Sequence, residues 1–467
     1  MRFIFLILLI LPAMDSAAHR AERPDTLRLA ELREAASHRD PRSVHPDLIE
    51  RATRLRMAAL RSQRLPQLAV TGQATVQNEV PQIPIDLPLG SGGHGPPLEQ
   101  YRAQLEVDWT LYDGGRVGRQ VAGERARQAE EQAGVAAALY AVREATTEAF
   151  FSALLFDAQM QTLSLAAEDL EARLRVARVQ SDEGAALAAE AAALEAEHIR
   201  VRQQVDEAAA ARGAAMSVLA DLTGLDVRAS DILLPPDLDG DVAEALDALD
   251  HQLRNSSPPG PGVVAVPFGR PELLRLARRA DRAEAEARIR EAQVRPSLSL
   301  FGQAGVGRPS PFNFFSDELS EYGLAGIRLR WSPFDWGRTR REAEAIRVQA
   351  HQADTDAAAF VHQIAREIED ERANLMRLNA ALADDERAVA LREEVLRVTR
   401  RQLDEGALLP DTYTGRLSDL AEARLARERH RIERARAEAR ILSTLGRFPE
   451  SRLLPPGTVR VNENVQP

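Results

Sequence analysis

The chain contains neither cysteine nor lysine among its 467 residues, and aromatic residues make up only 4% of it. Without cysteine there is no disulfide, no thiolate zinc site, no cysteine nucleophile and no lipidated N-terminal cysteine. Without lysine, phosphate loops of the Walker type and Schiff-base chemistry are excluded, and all 60 basic residues are arginine. So few aromatic rings leave little of the buried area on which several large globular cores would depend. Against 71 acidic residues the net charge is −11, which argues against nucleic acid as a partner, because such binding is driven by neutralising phosphates. Alanine, arginine and glutamate dominate instead. With apolar positions recurring at helical periods, that composition points to long helices or coiled coils.

Long apolar runs are also scarce. One follows Arg2, from Phe3 to Leu11, and leads into Pro12 and small residues in which Ser16 and Ala18 suit the −3 and −1 positions of a cleavage site. Residues 1–18 read as a removed signal peptide. The run falls short of the ~20 apolar residues that a spanning helix needs, so any insertion into a membrane must use strands.

The chain carries one unit twice. PQLAVTGQATV at 66–76 matches PSLSLFGQAGV at 296–306, a spacing of 230 that Pro41 and Pro271 share. DWTLYDGGR at 108–116 matches RWSPFDWGR at 330–338 with a spacing of 222. That second spacing recurs between Asp182, Glu183, Gly184 and Asp404, Glu405, Gly406, and again between Gly224 and Gly446. The change falls between about 77 and 100, so one loop is longer in the first copy. The organisation expected is a signal peptide (1–18), a first repeat (19–224), a connecting segment (225–269), a second repeat (270–446) and a C-terminal tail (447–467).

Within each repeat the period switches from helix to strand and back. Tyr101, Ala103, Leu105, Val107, Trp109 and Leu111 alternate with Arg102, Gln104, Glu106, Asp108 and Thr110, the pattern of a strand with one apolar and one polar face. Ala325, Ile327, Leu329 and Trp331 alternate likewise with Arg328, Arg330 and Ser332. Preceding strands run through Leu68 to Val76 and Leu298 to Val306, joined to these by Pro/Gly-rich loops at 81–97 and 308–315. The four strands are of the ~9 to 11 residues that cross a bilayer when tilted. Their crowded charges suit a watery lumen on one side and lipid on the other, with Arg102, Glu106, Asp108, Arg328 and Arg330 as lumen residues. Four strands cannot close a barrel, and open edges are not tolerated in lipid, so several chains must share one.

A turn follows each second strand, and then a long helix. From Val135 the seam steps by four and three through Leu139, Val142, Thr146, Ala149, Ala153, Phe156, Met160, Leu163, Ala167, Leu170, Leu174 and Ala177, a heptad pattern copied in Val361, Ile364, Ile368, Leu375, Leu378, Leu382, Val389 and Leu396. A helix from about 338 to 402 would extend roughly 100 Å and needs partners along its length. Shorter helices before each first strand (41–65, 271–295) and after each tip (187–222, 409–446) supply them, although Pro46 moves the expected start of the first to about 46. Gly184 and Gly406 are the expected helix-ending residues at the far tips.

With these parts in this order, the chain resembles the outer-membrane efflux protein family of TolC over about 25–446. The resemblance implies a mainly α protein with a membrane β-barrel: a homotrimer with a twelve-stranded barrel and a long α-helical coiled-coil tunnel through the periplasm of a Gram-negative bacterium. It implies an exit duct for substrates delivered by an inner-membrane pump and a periplasmic adaptor, with no catalysis and no cofactor. Segments 225–270 and 447–467 would form an equatorial girdle. Asp182, Glu183, Gly184, Asp404, Glu405 and Gly406 become candidate tip and adaptor-docking residues, and Asp404, Asp411, Thr412 and Tyr413 a candidate gate region. The sequence departs from the family's usual gate, reading Ala407, Leu408, Leu409, Pro410, Asp411, Thr412, Tyr413. Small-molecule efflux, metal efflux and protein export remain open, because the pump largely selects the cargo. Glu195 and His198 make a single ExxH where a carboxylate-bridged metal site in a bundle needs two. A secreted periplasmic coiled-coil scaffold or adaptor that never enters the membrane is the competing reading.

Overall fold

The computed structural model describes residues 26–80, 97–183, 187–255, 263–265, 269–312, 318–405, 407–447 and 458–460. The expected signal peptide, most of the first hairpin loop (81–96), and Gly184 and Gly406 lie outside them.

Chain order is β1 (Thr26–Arg28), α1 (Leu29–Arg39), a 3-10 turn (Pro41–Val44), α2 (His45–Ser62), β2 (Gln67–Val76), β3 (Glu99–Tyr112), α3 (Arg116–Asp182) and α4 (Ala188–Thr223). Then come β4 (Ile232–Leu234), α5 (Asp239–Asn255), β5 (Val263–Ala265), α6 (Pro271–Glu291), β6 (Ser297–Arg308), β7 (Ser320–Arg330), α7 (Arg338–Asp404), α8 (Pro410–Thr444) and β8 (Thr458–Arg460). Pro46 sits in the first turn of α2, where its missing N–H would have no intrahelical partner anyway. The helix therefore starts one residue before the expected position.

The long helices α3 and α7 have 67 residues each. Shorter helices line them end to end: α2 then α4 along α3, and α6 then α8 along α7, with α6 and α8 also touching α3. Burial follows the heptad seam at Val135, Thr146, Ala153, Leu163, Leu170 and Leu174, and in the second copy at Ile364, Ile368, Leu378 and Val389. Around the middle of α3 the packing is wider than one seam. Tyr140, Phe150, Phe151 and Leu154 are buried as well: α1 reaches this stretch through Arg33 and Thr147, α8 through Arg436 and Glu148, and the N-cap of α6 through Arg270 and Tyr140.

This midsection holds the largest core. Leu27, Leu29 and Leu32 of the first segment join Leu233, Leu238, Val242 and Leu249 of the connecting segment against Phe150, Met216, Ile441 and Leu445. Here β1 pairs in parallel with β4, and β5 pairs antiparallel with β8. The connecting segment and the tail thus supply small strands and α5 to a collar around the long helices. A second core toward the tips gathers Leu163, Leu170 and Leu174 of α3, Leu194 and Val201 of α4, and Tyr413 and Leu417 of α8.

At the opposite end stands one four-stranded antiparallel sheet in the order β2-β3-β6-β7. The two hairpins are joined through β3 and β6, while β2 and β7 form the outer edges.

Candidate functional site

The register of the sheet sorts its side chains by face. Leu68 pairs with Val107 and Val70 with Leu105. Trp109 pairs with Leu300, and Leu105 with Ala304. Leu298 pairs with Leu329, and Leu300 with Ile327. One face is therefore apolar across all four strands, and Leu68, Val70, Val76, Leu105, Ile327 and Leu329 on it are exposed. An apolar face that the protomer does not cover belongs against lipid or another chain. Among the described residues no helix is long and apolar enough to cross a membrane.

The other face carries the five charged residues expected to line a lumen. Arg328 lies 3.7 Å from Asp108, and its guanidinium stands 4.5 Å from the centre of the Phe301 ring. Glu106 accepts from Thr71 at 3.1 Å and from Gln104 at 2.5 Å. The Tyr322 hydroxyl donates in turn to the Gln104 side-chain oxygen, reaching across Gly305, which lies between them in the register. Arg102 pairs with Gly307 and Gln73 far from the helices, whereas Arg330 pairs with Ser297 beside them. The five residues thus span the length of one polar wall. Phe301, Tyr322 and Gln104 belong to that wall too; Gln104 could have been found from its alternation.

At the helix side of the sheet, two turns repeat one geometry. Asp113 accepts the amides of Gly115 at 2.9 Å and Val117 at 2.8 Å. Asp335 accepts those of Gly337 at 3.0 Å and Thr339 at 2.9 Å. Each carboxylate satisfies otherwise orphaned donors at the start of a 67-residue helix, the work of an N-cap. Burial pushes the Asp113 carboxyl up, but the Val117 and Gly115 amides and the Arg64 guanidinium outweigh it and hold it below its ordinary value. Asp335 is also lowered, by its hydrogen bonds to Thr339 and then Gly337. The chain turns through left-handed backbone at Gly114 and Gly115 (φ 66° and 83°), and at Trp336 and Gly337 (φ 57° and 74°). All three tryptophans of the chain stand at this end: Trp109 donates its indole N–H to the Arg64 carbonyl at 3.0 Å, and Trp331 and Trp336 are exposed.

The far ends of the helices hold the candidate gate residues. Tyr413, on α8, is 1% exposed and donates its hydroxyl to Asp169 of α3. Burial, followed by the Asp169 carboxylate, pushes its hydroxyl up to about 12, so it stays a donor. The Arg173 guanidinium, also from α3, lies 5.1 Å from the centre of the Tyr413 ring and 2.7 Å from Asp404 at the end of α7. Tyr413 and Asp404 therefore meet through two α3 residues absent from the candidates drawn from sequence. Asp411 and Thr412 occupy the first turn of α8 and are not drawn into this cluster by any bond the structure records. Asp182 ends α3, and Glu183 and Glu405 follow the two long helices. The Ala407 amide bonds back to the Gln402 carbonyl at 2.8 Å, the six-to-one closure common at helix ends.

The ExxH pair does not converge. Glu195 turns to Arg178 at 2.9 Å, whereas His198 lines a shallow groove of about 310 Å³ between α3 and α4 with Glu168, Glu171 and Arg202. Among the described residues no group of three or more metal-binding side chains is placed to hold an ion.

A two-faced four-stranded sheet with open edges thus stands at one end of two 67-residue helices. Residues 48–225 match the model of the family described as Outer membrane efflux protein. The chain is similar in fold to the outer membrane protein VceC from Vibrio cholerae, at 15% identity and a TM-score of 0.64, over 90% of this chain and 96% of that one. It is similar to the Campylobacter jejuni CmeC outer membrane channel, at 14% identity and a TM-score of 0.63, over 91% and 87%. The Neisseria gonorrhoeae MtrE outer membrane channel in its open state gives 16% identity and a TM-score of 0.62, over 90% and 89%. No curated protein sequence matches the chain.

Proposed function

We propose that three copies of this chain form a passive exit duct in the outer membrane of a Gram-negative bacterium, completing an efflux or type I secretion system with an inner-membrane pump and a periplasmic adaptor. The observation that carries this reading is the sheet: apolar and uncovered on one face, charged on the other, and open at both edges. Open edges are forbidden in hydrocarbon because unpaired amides cannot be hydrated there. The duplication supplies the means of closing them. β7 is the copy of β3, and β2 is the copy of β6, so β7 of one protomer meets β2 of the next as β3 meets β6 within a protomer. Transferring that register places Trp331 opposite Val70, Ile327 opposite Ala74 and Ala325 opposite Val76, apolar against apolar throughout. Three sheets of four strands make a barrel of twelve, within the even-numbered range of bacterial barrels.

Arg102, Glu106, Asp108, Arg328 and Arg330 line the lumen in this arrangement. Asp182, Glu183, Gly184, Asp404, Glu405 and Gly406 form the periplasmic tips on which the adaptor docks. The gate region is the second helical hairpin: Tyr413 and Asp404 hold α8 and α7 against α3, and opening requires that they let go. The duct performs no chemistry of its own.

The test is reconstitution of the mature chain. A detergent-requiring, heat-modifiable trimer that forms ion-conducting channels in planar bilayers is the expected result. A stable monomer that stays dissolved without surfactant and conducts nothing would favour the periplasmic scaffold.

A further inference from the structure

We infer that Trp336 is a contact between protomers, seated against Leu65 and Pro66 of the neighbouring copy; this rests on the trimeric duct proposed above. The argument starts from the junction of the two repeats inside one chain. There the first turn approaches the strand-start of the second repeat so closely that a Cβ on Gly114 would stand 2.6 Å from Cβ of Arg295 and 3.2 Å from the Pro296 carbonyl. Glycine is needed at that contact both for space and for its left-handed backbone. The spacings of the duplication carry Gly114 to Trp336, and Arg295 and Pro296 to Leu65 and Pro66. In a closed ring of identical chains the equivalent contact therefore joins Trp336 of one protomer to Leu65 and Pro66 of the next.

Both sides of that second junction have changed together. Glycine facing arginine within the chain becomes tryptophan facing leucine between chains. Trp336 keeps the left-handed backbone of Gly114, a conformation in which a bulky side chain is strained. The described residues leave both side chains bare: Trp336 is 88% exposed and Leu65 60%, and the bond recorded at Trp336, from Arg341, reaches its carbonyl and not its ring. Two apolar side chains left bare at complementary positions, one of them in strained backbone, are explained if they cover each other. The helices agree. α6 packs between α3 and α7, whereas its copy α2 lies along α3 with Leu48 and Leu55 exposed, which leaves a side open for α7 of the neighbour.

The absence of cysteine makes the test direct. The Trp336→Cys/Leu65→Cys double variant is assembled in detergent and treated with an oxidant or a short bismaleimide. Covalent dimers and trimers on denaturing gels, formed by the double variant and by neither single variant, are expected. A double variant that assembles into the wild-type trimer yet stays uncrosslinked with both reagents would overturn the contact. A second readout avoids cysteine altogether: in the Trp109→Phe/Trp331→Phe variant, Trp336 is the sole tryptophan. In phosphatidylethanolamine and phosphatidylglycerol vesicles its emission should resist quenching by brominated phospholipids, and strong quenching would assign the indole to lipid and overturn the proposal. A wild-type chain that neither trimerises nor inserts would overturn the duct itself, an outcome distinct from an intact trimer without the crosslink.

Discussion

The Tyr413 hydroxyl on α8 donates to the Asp169 carboxylate on α3, and the Tyr413 ring is covered by Arg173, which also grips Asp404. One small cluster thus ties both helices of the second hairpin to the first. A hydrogen bond to a charged acceptor contributes on the order of 1.5 to 3 kcal/mol, and about 1.4 kcal/mol is tenfold in an equilibrium. Tyr413→Phe keeps the packing and removes the bond, so the seating of α8 on α3 should weaken roughly tenfold or more, and if this hairpin is the proposed gate the duct should open more readily. Single-channel recordings should show a higher open probability with barrel assembly unchanged. Wild-type opening behaviour in that variant would remove the cluster from the gate.

In the collar, Glu438 of α8 is buried, and Arg434 lies between it and Asp239 at the start of α5. Burial, and then hydrogen bonding to Asp239, pushes the Glu438 carboxyl up to about 8. Asp239 is lowered, first by its hydrogen bond with Glu438 and then by Arg434, so the shared proton resides on Glu438. A carboxyl whose value is raised on folding binds its proton more tightly in the native state. Its contribution is full below the ordinary glutamate value of 4.5 and is lost as pH rises through about 8. Protease protection of α5 should therefore fall between about pH 5 and pH 8 in the wild type. Glu438→Gln, which keeps a donor toward Asp239, should flatten that dependence; an unchanged pH profile would show that the pair does not govern the seating of α5.

Much of this architecture was legible because period and punctuation agree. Strict alternation identified β3 and β7, and turns containing Asp113 and Asp335 marked where α3 and α7 begin. The tip motifs marked where the long helices end. The collar was not legible, because its elements are short and acquire sense only from distant partners: Leu27 and Leu233 become core residues when β1 meets β4. A single heptad seam also missed Phe150 and Phe151, neighbours in sequence that are both buried in the midsection core and meet edge to face. The Tyr413 cluster was half legible. Tyr413 and Asp404 were candidates, but Asp169 lies 244 positions from Tyr413, on a helix face that reads as ordinary charged surface.

Arg270, at the N-cap of α6, is a half-buried cation held by several groups. It reaches Glu144 at 2.8 Å, Glu272 at 2.9 Å and the Ser443 carbonyl at 3.2 Å, and its guanidinium stands 4.6 Å from the centre of the Tyr140 ring. These contacts join α6, α3 and the end of α8. Removing one partner of a fully buried ion pair costs ~3 to 5 kcal/mol; the loss here should be well below that, because the Glu144 side chain is 38% exposed and solvent screens the pair. Arg270→Met should lower the melting temperature, and Glu144→Gln added to it should recover part of the loss in a double-mutant cycle. Strict additivity of the two changes would mean that the ion pair contributes nothing of its own.

The last prediction concerns the two caps that join the four-stranded sheet to the long helices. Asp113 and Asp335 make the same pair of amide bonds, and both carboxyls sit below their ordinary value. Groups lowered on folding stabilise the native state above the unfolded value and lose that contribution as pH falls through the folded one. Asp113→Ala should cost ~1 to 2 kcal/mol, the usual loss for a helix N-cap. Asp335→Ala, at a solvated turn, should act in the same direction with a smaller effect. Because each cap sets the angle at which a strand enters its long helix, the loss should appear as a lower temperature of trimer dissociation. It should shrink as the buffer is brought toward pH 3, where the wild-type carboxylates approach protonation themselves. A deficit that stays constant from neutral to acid would show that the aspartates act through packing, and that the amide bonds are incidental to the junction.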